Sequence, residues 1–123
     1  MENICDRLEL KSLAPIWDRE AKELLNEMVD NKMNAILVRV CSEELKNCLG
    51  KSILDINQKL IKLYDQGLAH CCGEGGEFES FVLDCPLYKK RIIVEESEIS
   101  VEDDRPLCFV GRINFKKLKL EDK

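Results

Sequence analysis

The residues best suited to chemistry lie in one short run, Cys72-Gly73-Glu74-Gly75-Gly76-Glu77-Phe78-Glu79-Ser80. Glycines at 73, 75 and 76 permit positive φ and close approach of the main chain to a ligand. Successive N–H groups in such a turn can form an anion-binding nest. The side chains argue against a phosphate, because Glu74, Glu77 and Glu79 surround the turn with three carboxylates. A cation suits them better, either a metal ion or an ammonium group. Aromatic faces would add to the attraction, and Phe78, Phe81, Tyr88 and Trp17 are the aromatic residues at hand. The bland alternative is a structural glycine turn whose glutamates are simply solvated.

Other chemically able residues are less pointed. His70 is the only histidine, so neither a Ser-His-Asp triad nor a multi-histidine zinc site is available. On its own it reads as structural. Cys71 and Cys72 are adjacent, which strains a disulfide, so buried thiols are the expectation. Asp84 and Pro86 shape a strand exit, since proline biases Cys85 to extended geometry. Lys89-Lys90-Arg91 is either a solvated strand edge or a contact for acidic substrate groups. Trp17 either walls a pocket or packs in the core. No general base stands out.

These residues need elements to position them. Glu2–Leu10 reads as the end of a helix, and Leu13–Trp17 as a short strand with Pro15 at its edge. Asp18 is the expected cap of the next helix, in which Ala21, Leu24, Leu25, Met28 and Val29 follow helical spacing. Ala35–Val40 is an almost continuous apolar run, as in a strand buried on both faces of a parallel sheet. Strand, helix and strand together predict a βαβ unit. Ser42–Gly50 reads as a loop. Ser52 caps a second helix with Ile53, Ile56, Leu60, Ile61 and Tyr64 on one face, stopped by Gly67. Leu68–Cys72 reads as a short strand before the glycine turn. Strands are expected at 79–83 and 91–94, with a break over the acidic stretch Glu95–Asp104. A last strand runs from Leu107, with a β-bulge near Lys116-Lys117 where the alternation slips by one.

The totals bound the answer. A chain of 123 residues forms one small domain or part of a larger one. A net charge of −5 and a pI near 5.0 argue against nucleic-acid and anionic-membrane partners. No apolar run approaches a membrane span. The charged first residues do not read as a signal peptide. Seven cysteines cannot all pair, and none has C-x-x-C spacing. Reduced, mostly buried thiols in a cytoplasmic protein are expected.

The glycine run continues as Phe81-Val82-Leu83-Asp84-Cys85-Pro86-Leu87-Tyr88-Lys89-Lys90-Arg91-Ile92. Together these residues resemble the diphthine–ammonia ligase signature, C-G-E-G-G-E-[FY]-E-[TS] followed by V-L-D-x-P-[LF]-[FY]-K-K. Leu13-Ala14-Pro15-Ile16-Trp17, Glu23–Met28 and Leu49-Gly50-Lys51-Ser52 resemble the family's flanking segments, so the resemblance spans essentially the whole chain. It implies an N-type ATP pyrophosphatase-like α/β fold. It also implies ATP-dependent amidation of diphthine, a modified histidine of translation elongation factor 2, through an acyl-adenylate that ammonia displaces. The cofactor that the resemblance implies is ATP with Mg, and ammonium is the implied co-substrate.

Two departures qualify this. The family's N-terminal Ser-Gly-Gly-Lys-Asp-Ser phosphate loop does not occur in the sequence. Cys41–Leu45 stands where relatives carry a small glycine-containing turn. The expected fold is therefore a partial parallel sheet with flanking helices over 1–70, and a β-rich substrate-binding region of mixed or antiparallel strands over 71–123. On this reading Gly73, Glu74, Gly75, Gly76, Glu77, Glu79, Ser80 and Trp17 receive the trimethylammonium arm of diphthine or help admit ammonia. Lys89 and Arg91 are the candidates for a nucleotide contact. The chain alone would be inactive. The competing expectations are a non-catalytic binding module that still engages elongation factor 2, and an isolated piece too short of sheet partners to fold stably.

Overall fold

A computed structural model of the chain describes residues 2–123. Three α-helices and four strands follow one another along the described residues: α1 (Glu2–Arg7), α2 (Ala21–Asp30), β1 (Asn34–Val40), α3 (Ile53–Asp65), β2 (Phe78–Asp84), β3 (Lys90–Arg105) and β4 (Cys108–Asp122). A 3-10 helix, Glu43–Cys48, joins β1 to α3. The strands form one sheet in the order β2-β1-β4-β3.

Every strand pairing is antiparallel. The expected parallel, PP-loop-like layer is corrected by this finding. The apolar run at β1 does mark a buried strand, but continuous hydrophobicity reports burial on two faces and says nothing of the neighbours' direction. The partner assumed for the βαβ unit is missing as well. Residues 15–18 form a turn, with Trp17 N–H donating to the Ala14 carbonyl at 3.1 Å.

α2 and α3 carry the amphipathic faces that the spacing predicts. Their inner residues Ala21, Leu25, Ile53, Ile56, Leu60 and Leu63 pack on Ala35, Leu37 and Val40 of β1. The polar-looking 42–50 segment joins the same core, because Leu45 and Cys48 are fully buried. Ser52 caps α3 as expected, its Oγ accepting from Leu54 N–H. At α2 the cap is Glu20, whose carboxylate accepts from Glu23 N–H at 2.9 Å. Asp18 instead sits in the turn with φ 57°.

The acidic stretch 95–104 does not break the strand, because basic groups around it neutralise its carboxylates. Lys117 meets Glu95, Lys116 meets Glu98, Arg112 meets Glu102, and Lys46 from the 3-10 helix meets Asp104. The pairing slips where the alternation predicted. Glu96 pairs with Lys117 but Ser97 with Phe115, which leaves Lys116 as the extra residue. Further slips at Glu95 and Glu102 bend the hairpin. β4 pairs in register with β1 only at Arg39–Arg112 and Val40–Gly111. Beyond that point it crosses the outer face of the sheet, so that Phe115 meets Phe81 at 5.2 Å and Lys123 reaches Asp84 at 2.7 Å. No helix of the described residues is long and apolar enough to cross a membrane.

Candidate functional site

The stretch Leu68–Cys72 is not a strand but the entry to a closed turn. Gly73 N–H donates to the His70 carbonyl at 3.0 Å, and Gly76 N–H to the Gly73 carbonyl at 3.1 Å. Gly73 and Gly76 adopt φ of 76° and 83°, as the glycine spacing anticipates. At Gly73 a side chain would also strike the Phe78 ring at 2.9 Å.

His70 is the hub of this turn. Its Nδ1 accepts from Cys72 N–H at 3.2 Å and more loosely from Glu74 N–H at 3.4 Å. An accepting Nδ1 places the ring proton on Nε2. The ring packs edge-on to Tyr64 at 5.4 Å. Its own backbone N–H donates to Glu77 Oε1 at 2.9 Å. The Glu77 carboxylate thus lies under the turn, so close to Gly75 that a Cβ there would stand 2.3 Å from Oε1. Its backbone carbonyl accepts from Cys41 N–H at 2.8 Å and ties the turn to the end of β1.

Glu74 points elsewhere. It lines a cavity of about 320 Å³ with Trp17, Asp18, Arg19, His70 and Cys72, walled below by Ala21 and Leu24 at the start of α2. Cys72 Sγ donates to the Ala21 carbonyl at 3.4 Å and holds the turn against that helix. Trp17 is 78% exposed, so its indole stands at the rim. Asp18 and Glu74 give the cavity two carboxylates. The one guanidinium there, Arg19, is already engaged by Glu27 at 2.6 Å. The chemical character is therefore anionic with an aromatic edge.

The sequence-derived site residues divide among three places. Trp17 and Glu74 share the cavity just described. Glu77 lies beneath the turn that Gly73, Gly75 and Gly76 shape. Glu79 and Ser80 belong to β2 and line a second concavity on the far face of the sheet. Lys89 is exposed in the β2–β3 connection, and Arg91 pairs with Glu121 across the hairpin, so neither is drawn to the turn. The sequence reads Asp18 only as a helix cap, and it reads His70 as structural, which agrees with its place at the hub of the turn. Asp18 adjoins Trp17 in sequence, which was a usable signal. The role of His70 depends on a bond from its ring back to the main chain, which spacing does not display.

His70, Cys71 and Cys72 hold their donor atoms within 4.8 Å of one another. A metal would need thiolates there. Burial pushes the Cys71 thiol up to about 12, with the neighbouring Cys72 adding to the shift. Cys72 is also raised, first by burial. The set fits buried thiols better than a resident ion. Native protein treated with iodoacetamide at about pH 8 should leave Cys71 unmodified until urea unfolds it, since only thiolate reacts. Peptide mass spectrometry reads this directly, and rapid native labelling of Cys71 would contradict the burial.

The family profile described as diphthamide synthase C-terminal domain matches residues 20–116. The chain belongs to the diphthamide synthase family. It is 42% identical over its whole length to a diphthine–ammonia ligase of Danio rerio and 41% identical to one of Homo sapiens, covering 49% and 47% of those proteins. A diphthine–ammonia ligase of Schizosaccharomyces pombe is 43% identical over 89% of this chain, which is 18% of that longer relative. The chain thus spans about half the length of the vertebrate family members it matches, or less of the fungal one, and corresponds to their C-terminal part. The glycine turn, Glu74 and His70 all fall inside the family-matched segment, whereas Trp17 and Asp18 lie just before it.

Proposed function

We propose that this chain is the substrate-binding part of a diphthine–ammonia ligase, and that the cavity between the glycine turn and Trp17 receives the trimethylammonium arm of diphthine on translation elongation factor 2. The observation that carries the reading is the pairing of Glu74 and Asp18 with the exposed Trp17 indole around one cavity of about 320 Å³. A quaternary ammonium offers no hydrogen-bond donor, so it is held by carboxylate charge and aromatic faces rather than by directed bonds. The rigid turn under Glu74 keeps that carboxylate aimed at the rim without reorganisation when substrate arrives.

ATP activation of the substrate carboxylate, with Mg, is assigned to a phosphate-binding loop of the Ser-Gly-Gly-Lys-Asp-Ser type, which this chain's 123 residues do not contain. Ammonia would then displace AMP. In that scheme the residues of this chain bind and orient the protein substrate, and Lys89 and Arg91 remain candidates for nucleotide contact only if a partner surface reaches the hairpin. The outward-facing Leu13, Ile16, Trp17 and Leu87, each more than half exposed, supply an apolar surface beside the cavity that suits contact with a large protein.

The experiment compares binding of elongation factor 2 in its diphthine, unmodified and amidated forms to this chain, by calorimetry. The diphthine form should bind more tightly than the unmodified form, and the chain alone should catalyse no ATP–pyrophosphate exchange. Equal affinity for diphthine-bearing and unmodified factor, or robust exchange by the chain alone, would overturn the reading.

A further inference from the structure

The far face of the sheet carries a second concavity, of about 440 Å³, where the β4 arm crosses over β1 and β2. Its floor holds an unusual pair. Arg39 of β1 and Arg112 of β4 are directly opposed across the antiparallel pairing. Like charges placed so are destabilising unless something neutralises them. One carboxylate does so for both. Glu102 Oε1 meets Arg112 Nη2, and Oε2 of the same group lies 3.8 Å from Arg39 Nη2. Glu79 approaches Arg39 Nη1 at 3.2 Å from the β2 side. Even so, Arg39 Nε is buried and has no hydrogen-bond partner among the described residues. The rings of Phe81 and Phe115, tilted 48° to one another, wall the same space.

We propose that Arg39 and Arg112 form a binding site for an oxyanion, a phosphate or carboxylate carried on an apolar or aromatic group, and that Glu102 is its internal competitor. Guanidinium forks recognise both oxyanions by paired N–H donors. Here one Nη2 from each guanidinium already faces the same carboxylate, in contact from Arg112 and at 3.8 Å from Arg39. Glu102 sits where the register slips between Val101 and Asp103, so the bulge carries it to the arginines and its release leaves the rest of the hairpin ladder paired. An incoming oxyanion would take its place and satisfy Arg39 Nε as well. The aromatic wall favours a ligand with an apolar body over a bare ion. This site is separate from the Trp17–Glu74 cavity and does not depend on the function assigned to it.

The test is an NMR titration of the full chain with inorganic phosphate, phenyl phosphate and benzoate, following the arginine Nε–H signals. Phenyl phosphate or benzoate should shift the Arg39 and Arg112 signals and bind more tightly than inorganic phosphate. Tighter binding of phenyl phosphate assigns a phosphate ligand, and tighter binding of benzoate a carboxylate; either supports the site. Arg112→Met should weaken binding about tenfold or more, the loss of one charge-assisted fork. Arg112→Lys keeps the charge beside Glu102 and should preserve the melting temperature while still losing affinity. Glu102→Gln should tighten binding severalfold by removing the competitor. Absence of shifts with all three anions, or affinity unchanged in both Arg112→Lys and Glu102→Gln, would overturn the proposal.

Discussion

Replacing Glu77 with alanine should lower the stability of the domain by about 2–3 kcal/mol, the range for losing a hydrogen bond to a charged acceptor and leaving its donor unpaired. The donor is the backbone N–H of His70, whose bond to Oε1 closes the turn at 2.9 Å. Without it the loop between His70 and Glu77 relies on its two glycine bonds, the ring contacts of His70, the Cys72 thiol on the Ala21 carbonyl and the main-chain tie of Glu77 to Cys41. Glu77→Gln should cost under about 1 kcal/mol, because the amide oxygen still accepts and the second polar atom no longer buries a charge. The partner Oε2 is itself buried with no hydrogen bond among the described residues, so the carboxylate carries a desolvation cost that the amide reduces. Glu79→Ala is the control. That side chain is 64% exposed and pairs only with Arg39, so its loss should cost under about 1 kcal/mol. Urea denaturation of the three variants checks the order. Equal losses for Glu77→Ala and Glu79→Ala would mean that the turn does not depend on the buried carboxylate.

The second large effect concerns binding. Glu74→Lys should reduce affinity for a trimethylammonium betaine about tenfold or more, since it exchanges an attractive charge for a repulsive one at the cavity mouth. Tenfold corresponds to about 1.4 kcal/mol. Trp17→Ala should reduce affinity by a similar factor, within the range of cation–π contacts that become partly desolvated. Neither side chain supports the core, because both face outward from the turn and from the α2 entry. Their melting temperatures should therefore stay close to that of the parent chain. The Glu74→Lys loss should also shrink as salt is raised, whereas the Trp17→Ala loss should persist. Fluorescence of Trp17, the only tryptophan, follows the first of these titrations directly. Affinity equal to the parent in both variants would remove the cavity from the account.

Much of this was legible in the residues themselves. The apolar spacing of Ala21–Val29 and Ile53–Tyr64 sufficed for both long helices, and Ser52 and Gly67 for the ends of the second. The one-residue slip near Lys116 was visible as broken alternation. The antiparallel strands of the C-terminal half were legible, but the direction of the neighbours of β1 was not, because Ala35–Val40 is equally apolar whether they run parallel or antiparallel. The 95–104 stretch misled for a related reason. Its carboxylates look like a solvated loop until Lys116, Lys117 and Arg112 stand across from them on β4 and Lys46 approaches from the 3-10 helix. The glycine turn is plain from Gly73, Gly75 and Gly76, but in the sequence its three glutamates are equivalent. Only the fold separates them, sending Glu77 beneath the turn to His70, Glu74 to the cavity and Glu79 to the opposite face of the sheet. Arg39 and Arg112 are 73 positions apart, and nothing short of the strand pairing brings them together.

The central claim is that a cationic arm binds between the glycine turn and Trp17. It is tested most directly by a 1H–15N NMR titration of the chain with a trimethylammonium betaine. The account predicts saturable shifts at the Trp17 indole N–H and at the backbone N–H groups of Glu74 and Cys72, lost in Glu74→Lys while the spectrum stays dispersed. Shifts confined to other surfaces, or none at these three groups at saturating ligand, would contradict it.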